Sequence, residues 1–157
     1  GPAETGVVLG MFFVPFALLQ YPFGVLSDRI GRTVPIVVGS ACFGSAIILV
    51  GVLPTLTLAQ AGMVLVGILG ALVSPATMAL VTDLADDGER GASMAGFNIA
   101  GSLGFLTGFL LGGTVATSYG YFAAFLVVGG LEILIAAVCL PLFLRIEIPV
   151  EGSFRPD

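Results

Sequence analysis

The chain has 157 residues, of which 57% are hydrophobic and only 10% are charged, and its formal net charge is -5 at pH 7. An ordinary soluble domain is about 25% charged, and a chain of this size cannot hide so much apolar surface from water. The composition therefore excludes a soluble globular domain and predicts a membrane protein. The acidic balance excludes nucleic acid as a partner. Because the chain contains no His, we also expect no metal and no cofactor.

Five apolar runs are long enough to cross the hydrocarbon core of a bilayer, which takes about 20 helical residues. The connections between the runs are short, so consecutive helices must be antiparallel neighbours. We therefore predict an all-α fold, a polytopic transmembrane helix bundle that forms a single domain over residues 1–157. In chain order, the predicted spans are Gly6–Leu26, Val34–Leu53, Leu58–Thr82, Ala92–Thr117 and Tyr121–Leu144.

The arginines, which are the only basic residues, orient this bundle. Arg29 and Arg32 lie in the first connection, Arg90 lies in the third, and Arg145 and Arg155 follow the fifth span. With five alternating spans, all of them fall on one side, which the positive-inside rule makes cytoplasmic. We thus expect a multi-pass protein of the cell membrane whose tail, residues 145–157, is cytoplasmic. Since no signal peptide precedes the first span, an outer N-terminus favours at least one further helix upstream.

The first connection contains the charged stretch "GVLSDRIGR", in which Gly24, Asp28, Arg29, Gly31 and Arg32 fit the pattern G-x-x-x-D-R-x-G-R. This pattern resembles the signature loop of the major facilitator superfamily (MFS), which stands between the second and third helices of each six-helix half. The stretches "PAETG", "FALLQYPFG" and "YGYFAAF" and residues 70–113 look like successive segments of the same family. The resemblance therefore extends over nearly the whole chain.

The resemblance implies a secondary transporter that moves a small solute by alternating access, with the motif acting as a conformational latch on the cytoplasmic side. Asp83 matches a carboxylate that the family places at the end of the helix after the loop helix. A pair between Asp83 and Arg32 or Arg29 is therefore the expected latch. The alternative is that these charges lie in a tight loop and only determine the topology of the protein in the membrane. Gly24 allows another backbone to approach, and Gly31 allows a positive φ in the turn.

The five spans correspond to helices eight to twelve or to helices two to six of a twelve-helix transporter. Met63 stands where the N-terminal half usually has an Arg, and the chain ends shortly after its last span, so we favour helices eight to twelve. The expected partners are then the lipid bilayer, the missing half and an unidentified small solute. One alternative is a membrane interaction or scaffold protein, and another is a free-standing half that homodimerises. No P-loop or His-activated nucleophile is present, so we expect no enzyme activity.

The fourth span is rich in glycine. Gly104, Gly108 and Gly112 recur every four residues, close to one helical turn, and so form two overlapping GxxxG units on one face. This face is interpreted either as a sliding surface against the other half or as close packing against an adjacent helix of the same half. Asn98 and Ser102, also one turn apart, could contact substrate or serve helix packing, and we favour packing.

Residues on two other spans have both a structural and a functional interpretation. Pro75 kinks the third span, whose counterpart in the family lines the central cavity, so Thr77 or Met78 could touch the substrate; we favour a purely structural kink. Glu132 is the only ionisable residue well inside a span, where a charge is costly. It is interpreted as a proton or cation coupling group, or as a protonated structural carboxyl. The family's sixth and twelfth helices are peripheral to the cavity, which favours the structural role.

Overall fold

The computed structural model describes residues 2–146, without the side chains of Pro2 and Thr5. This part of the chain folds into five α helices, each long and apolar enough to cross a membrane. The prediction of an all-α bundle of membrane-spanning helices is therefore confirmed. The helices are α1 (Pro2–Ile30), α2 (Thr33–Val52), α3 (Leu56–Leu84), α4 (Arg90–Tyr119) and α5 (Tyr121–Phe143).

Each predicted span lies on one of these helices, with only Leu53 and Leu144 just beyond a helix end. The helices α1 and α3 have 29 residues each and α4 has 30. At 1.5 Å per residue such helices are about 44 Å long, well beyond the roughly 30 Å of the hydrocarbon core. Asp28 and Arg29, which the sequence analysis placed in the first connection, therefore belong to the end of α1, and Asp83 belongs to the end of α3. Residues 147–157, most of the predicted tail, lie outside the described residues.

Two of the connections turn at a glycine in the left-handed region. Gly31, with a φ of 89°, separates α1 from α2, and Gly120, with a φ of 90°, separates α4 from α5. A side chain would strain the backbone at either position. In the connection that follows α2, Thr55 caps the start of α3, where its hydroxyl accepts a 3.3 Å hydrogen bond from the backbone N–H of Leu58. The turns are thus short, yet the expectation that consecutive helices are neighbours is wrong for α1 and α2, which make little contact with each other.

Helix α3 lies between α1 and α2, α2 packs in turn on α5, and α4 packs mainly on α5 with little contact to α3. The backbones of α1 and α3 come close at Gly67, where a Cβ atom would overlap the carbonyl oxygen of Phe12. One apolar cluster, formed by Ile36, Ala76 and Leu80, holds α2 against α3 near the α1–α2 turn. This packing places the turn beside the end of α3, where the charged residues of the motif meet.

Candidate functional site

Arg32 connects the ends of two helices. Its Nε atom donates a 3.0 Å hydrogen bond to Oδ2 of Asp83, in the last turn of α3. Its Nη1 atom donates to the Asp28 carboxylate of α1 and, at 2.8 Å, to the hydroxyl of Ser27. We call these four residues, Ser27, Asp28, Arg32 and Asp83, the Arg32 cluster. Of the two pairs that the sequence left open for Asp83, the structure contains the one with Arg32.

The local backbone explains why Arg32 rather than Arg29 reaches Asp83. Arg29 lies in the last turn of α1, where a cation is favourable near the negative end of the helix dipole, and its side chain is exposed. Helix α1 then ends at Ile30, and the left-handed turn at Gly31 redirects the chain. Arg32, at the N-cap position of α2, is thereby turned back over the end of α1 and towards α3.

Ser27 is completely buried and is the only buried polar side chain among those that the structure describes. Its hydroxyl donates a 2.9 Å hydrogen bond to the carbonyl oxygen of Gly24 and accepts the one from Arg32. At Gly24 an added Cβ would lie 3.7 Å from Cβ of Pro75, an ordinary van der Waals distance. The motif glycine therefore faces the kink position of α3, while Ser27 faces the arginine.

The electrostatics of the cluster favour the charged form of Arg32. Partial burial acts to lower the pKa of Arg32, but the hydrogen bonds and charges of Asp83 and Asp28 outweigh it and raise the pKa above its ordinary value. The guanidinium is thus a permanent cation. Only 16% of its side chain is exposed, against 58% for Asp28 and 36% for Asp83, so it is the least solvated of the three charged groups.

The residues predicted for a cavity or for coupling are distributed over three helices. Thr77 and Met78 lie on α3, and Asn98 and Ser102 lie on α4. Thr77 is half-buried and its hydroxyl donates to the carbonyl of Val73 at 2.9 Å, whereas Met78 is exposed. Asn98 and Ser102 are exposed, and the Ser102 hydroxyl donates to the Asn98 carbonyl at 2.9 Å. No hydrogen bond within residues 2–146 brings these side chains of different helices together.

The fifth candidate, Glu132, lies on the side of α5 that packs on α2. Its Cβ atom is 3.2 Å from the place that a Cβ of Gly44 would take, and Ser40 of α2 lies beside its carboxyl. It is half-buried in this contact between two helices. The structure thus separates Glu132 from the other four candidates, which lie on α3 and α4.

The glycine stripe of α4 is largely open within the described part of the chain. A Cβ atom on Gly104 or Gly108 would have no neighbour within 4 Å, and one on Gly112 would lie 3.8 Å from a methyl group of Val128 on α5. Among residues 2–146, therefore, only the last glycine of the stripe is in contact with another helix. The rest of the stripe leaves room for a packing partner.

A sequence profile of the Major Facilitator Superfamily matches residues 1–157. The chain belongs to this superfamily. It is 32% identical, over 135 residues, to an uncharacterized MFS-type transporter of Methanocaldococcus jannaschii, a match that covers 86% of this chain and 35% of the relative. It is 31% identical over 123 residues to the inner membrane transport protein YajR of Escherichia coli, covering 78% of this chain and 27% of the relative. A multidrug resistance protein of Yersinia enterocolitica is 28% identical over 153 residues, a match that covers 97% of this chain and 35% of the relative.

The family resemblance that the charged motif indicated is thus confirmed, and this MFS chain is a multi-pass membrane protein in contact with the lipid bilayer. It spans about a third of the length of the curated relatives that it matches. No solved structure shows significant similarity to it.

One member of the Arg32 cluster was missed by the sequence analysis. Ser27 occupies an unspecified position of the G-x-x-x-D-R-x-G-R pattern of the MFS, and the pattern alone gives no reason to select it. The signal that was present is a hydroxyl side chain one helical turn after Gly24, at the end of an apolar run. When such a residue is buried with the apolar face, its hydroxyl needs hydrogen-bond partners, which here are Gly24 and Arg32.

Proposed function

We propose that this chain is part of a secondary transporter that moves a small solute across the membrane by alternating access. In this proposal the Arg32 cluster is a latch that stabilises the closed form of one end of the protein. The observation that carries the proposal is the simultaneous binding of one guanidinium to Asp28 of α1 and Asp83 of α3. Both helices belong to the same half of the transporter, so in this proposal Arg32 holds their ends in the arrangement that meets the other half when the two bundles rock into the closed form.

The strength of the cluster suits a latch that must open in every cycle. An exposed ion pair contributes about 0.2–1 kcal/mol, and a hydrogen bond to a charged group contributes about 1.5–3 kcal/mol. A coupling of about 1–3 kcal/mol changes the ratio of two states by roughly 5–150-fold. The bonds of Arg32 to its carboxylates are therefore strong enough to favour one state, while the binding of a solute can supply enough free energy to reverse the preference.

We further propose that the latched end is cytoplasmic and that the chain corresponds to helices eight to twelve. The four described arginines lie at the end of α1, the starts of α2 and α4, and the residues after α5. In an antiparallel bundle these positions share one end, which supports the cytoplasmic assignment. Met63 packs against an apolar cluster of Ala46, Val50 and Val66, an unfavourable environment for the Arg that is usual in the N-terminal half.

The solute is proposed only as a small molecule, since the relatives range by name from an inner membrane transport protein to a multidrug resistance protein. For Glu132 we propose the structural role, because it is packed between α5 and α2 rather than beside the candidates on α3 and α4. The expectation that the chain is not an enzyme agrees with the names of these relatives, which are transport and resistance proteins.

The test uses the full-length transporter and needs no known substrate. Native cysteines are replaced, and a single cysteine is introduced by Ala95→Cys or Thr117→Cys, at two exposed positions of α4. The two are about 33 Å apart and face nearly the same way. In nanodiscs, where both sides of the membrane are accessible, the rate of reaction with a membrane-impermeant maleimide is measured at each position. The ratio of the rate at 95 to the rate at 117 is the accessibility ratio.

Removing the charge of Asp83 (Asp83→Asn) is expected to raise the rate at position 95 and to lower it at position 117, because opening one end closes the other. The matched control is Asp87→Asn, which removes a 92% exposed carboxylate that pairs only locally, with Arg90 at 3.0 Å. The control should leave both rates unchanged. Unchanged rates in Asp83→Asn would refute the latch, and a rise at both positions would refute alternating access in favour of a loosened fold.

A further inference from the structure

Ser27 holds the guanidinium of Arg32 from a fixed position. It is fully buried, whereas the side chain of Asp28, the other partner on α1, is 58% exposed. An exposed carboxylate can change rotamer at little cost, while a buried hydroxyl that is bound to its own backbone cannot. Of the two groups on α1 that Arg32 contacts, Ser27 is therefore the one able to define where the guanidinium lies.

The hydrogen bonds of Ser27 have only one consistent direction. A serine hydroxyl has a single proton, and in Ser27 it is donated to the carbonyl oxygen of Gly24 at 2.9 Å. The lone pairs of the oxygen remain for Arg32, whose Nη1 atom donates to it at 2.8 Å. Gly24 thus orients the hydroxyl, and the hydroxyl presents a pure acceptor to the arginine.

This acceptor determines which way the rest of the guanidinium points. Nη1 carries two protons, and they are taken by Ser27 and Asp28. Because the guanidinium is a rigid planar fork, fixing both protons of Nη1 also fixes the direction of the Nε proton. In the structure that proton points to Oδ2 of Asp83, 3.0 Å from Nε.

We propose that Ser27 is a positioning residue of the latch, whose buried hydroxyl holds Arg32 in the orientation in which Nε reaches Asp83. This inference rests on the proposed function of the Arg32 cluster. It assigns to an unspecified position of the charged motif a role that acts only through Arg32.

Other hydroxyls on the helices do not share this arrangement. Ser45, Thr77 and Ser102 each donate to the carbonyl four residues earlier, at 2.8–2.9 Å. Among the hydroxyls that the structure describes, Ser27 is the one that accepts a hydrogen bond from a charged side chain. Ser45 is a suitable control, because it is exposed on α2 and makes only the bond to the carbonyl of Ala41.

The test measures the accessibility ratio at positions 95 and 117 in the full-length transporter, with the single cysteines described above. Ser27→Ala is expected to raise the ratio by roughly tenfold to a hundredfold, since it removes a hydrogen bond to a charged group. Ser45→Ala should leave the ratio unchanged. Ser27→Thr keeps the hydroxyl and should restore a ratio close to that of the parent. A role in packing alone gives the opposite order, because alanine leaves almost no void at this position while threonine adds a methyl group.

A double variant distinguishes a positioning role, which acts through Arg32 and Asp83, from an independent effect of Ser27 on the protein. In the Asp83→Asn background, Ser27→Ala should change the ratio by less than about twofold, because a residue that acts by aiming Arg32 at Asp83 has nothing further to lose. A full, independent effect in that background would overturn the inference, and so would an unchanged ratio for Ser27→Ala alone. If Asp83→Asn itself leaves the ratio unchanged, the proposed latch fails and this inference fails with it. If Asp83→Asn raises the ratio and Ser27→Ala does not, only the role of Ser27 is refuted.

Discussion

Gly44 of α2 and Gly129 of α5 face each other where the two helices cross. A Cβ atom on Gly129 would lie 2.5 Å from the carbonyl oxygen of Gly44, and a Cβ on Gly44 would lie 2.7 Å from the carbonyl oxygen of Gly129. The two backbones are therefore in direct contact, an approach that only small residues permit between membrane helices. This contact holds α5 against α2, and through α2 and α3 it supports the arrangement in which the Arg32 cluster forms.

The variant Gly129→Ala is expected to destabilise the full-length protein, by about 1–3 kcal/mol as for other overpacked sites. The new methyl group meets a backbone oxygen, which cannot move aside without shifting a helix. The matched control is Gly130→Ala on the same helix, where an added Cβ would have no neighbour within 4 Å. The midpoint of thermal unfolding in detergent should fall for Gly129→Ala and stay level or rise for Gly130→Ala. Equal midpoints for the two variants would contradict the close crossing.

The sequence predicted the five helices because long apolar runs can be satisfied in lipid only as helices. It did not predict the ends of the helices. A helix continues past its apolar run for as long as its backbone hydrogen bonds can continue, whether or not the residues are apolar. It also narrowed the partner of Asp83 to Arg29 or Arg32 without choosing between them. That choice depends on the left-handed turn at Gly31, which redirects the chain in three dimensions.

The glycines show the same limit. Gly104, Gly108 and Gly112 are conspicuous in the sequence because of their four-residue spacing, yet only Gly112 approaches another helix within residues 2–146. Gly44 and Gly129 form a close crossing, but they lie on different helices and no spacing within either helix relates them. A periodic pattern shows which residues share a face of one helix. It does not show which face meets which neighbour.

Replacing Arg32 with lysine distinguishes the two interpretations of the charged motif, as a latch or as a determinant of membrane topology only. Lysine keeps the positive charge, so the orientation of the helices in the membrane should be unchanged. Its single ammonium group lacks the rigid fork with which Arg32 binds Asp83 through Nε and Asp28 through Nη1. We therefore expect Arg32→Lys to raise the accessibility ratio in the same direction as Asp83→Asn. Reporter fusions to the C-terminus check the topology, and a ratio equal to that of the parent would leave the motif with its topological role only.

The open glycines of α4 predict a contact with the remainder of the transporter. If the stripe packs against the other half, Gly108→Leu should lower the unfolding midpoint of the full-length protein, because a large side chain would separate two closely packed helices. The control is Gly113→Leu on the same helix, about 140° around the helix axis from Gly108. Neither glycine has a neighbour within 4 Å among the described residues. The difference between the two variants therefore reports on the rest of the protein, and equal midpoints would argue against the stripe as a packing surface.

Substitutions of Glu132 distinguish a role in proton or cation coupling from a structural role. If the carboxyl serves the contact between α5 and α2, Glu132→Gln should have little effect, because the amide is of similar size and can still hydrogen-bond to Ser40, which lies beside the carboxyl. Glu132→Leu should be less stable than Glu132→Gln, by about 1 kcal/mol, since Ser40 then loses its partner. The unfolding midpoints of the two variants in detergent measure this difference.

The decisive measurement for Glu132 is the accessibility ratio of the Gln variant over a series of pH values. A structural carboxyl predicts a pH profile that coincides with that of the parent, because the titrating groups that drive the transporter would lie elsewhere. A coupling carboxyl predicts that the pH dependence disappears in Glu132→Gln, since glutamine cannot bind or release a proton. That loss would show that the crossing of α2 and α5 is part of the transport cycle, and the structural assignment of Glu132 would be wrong.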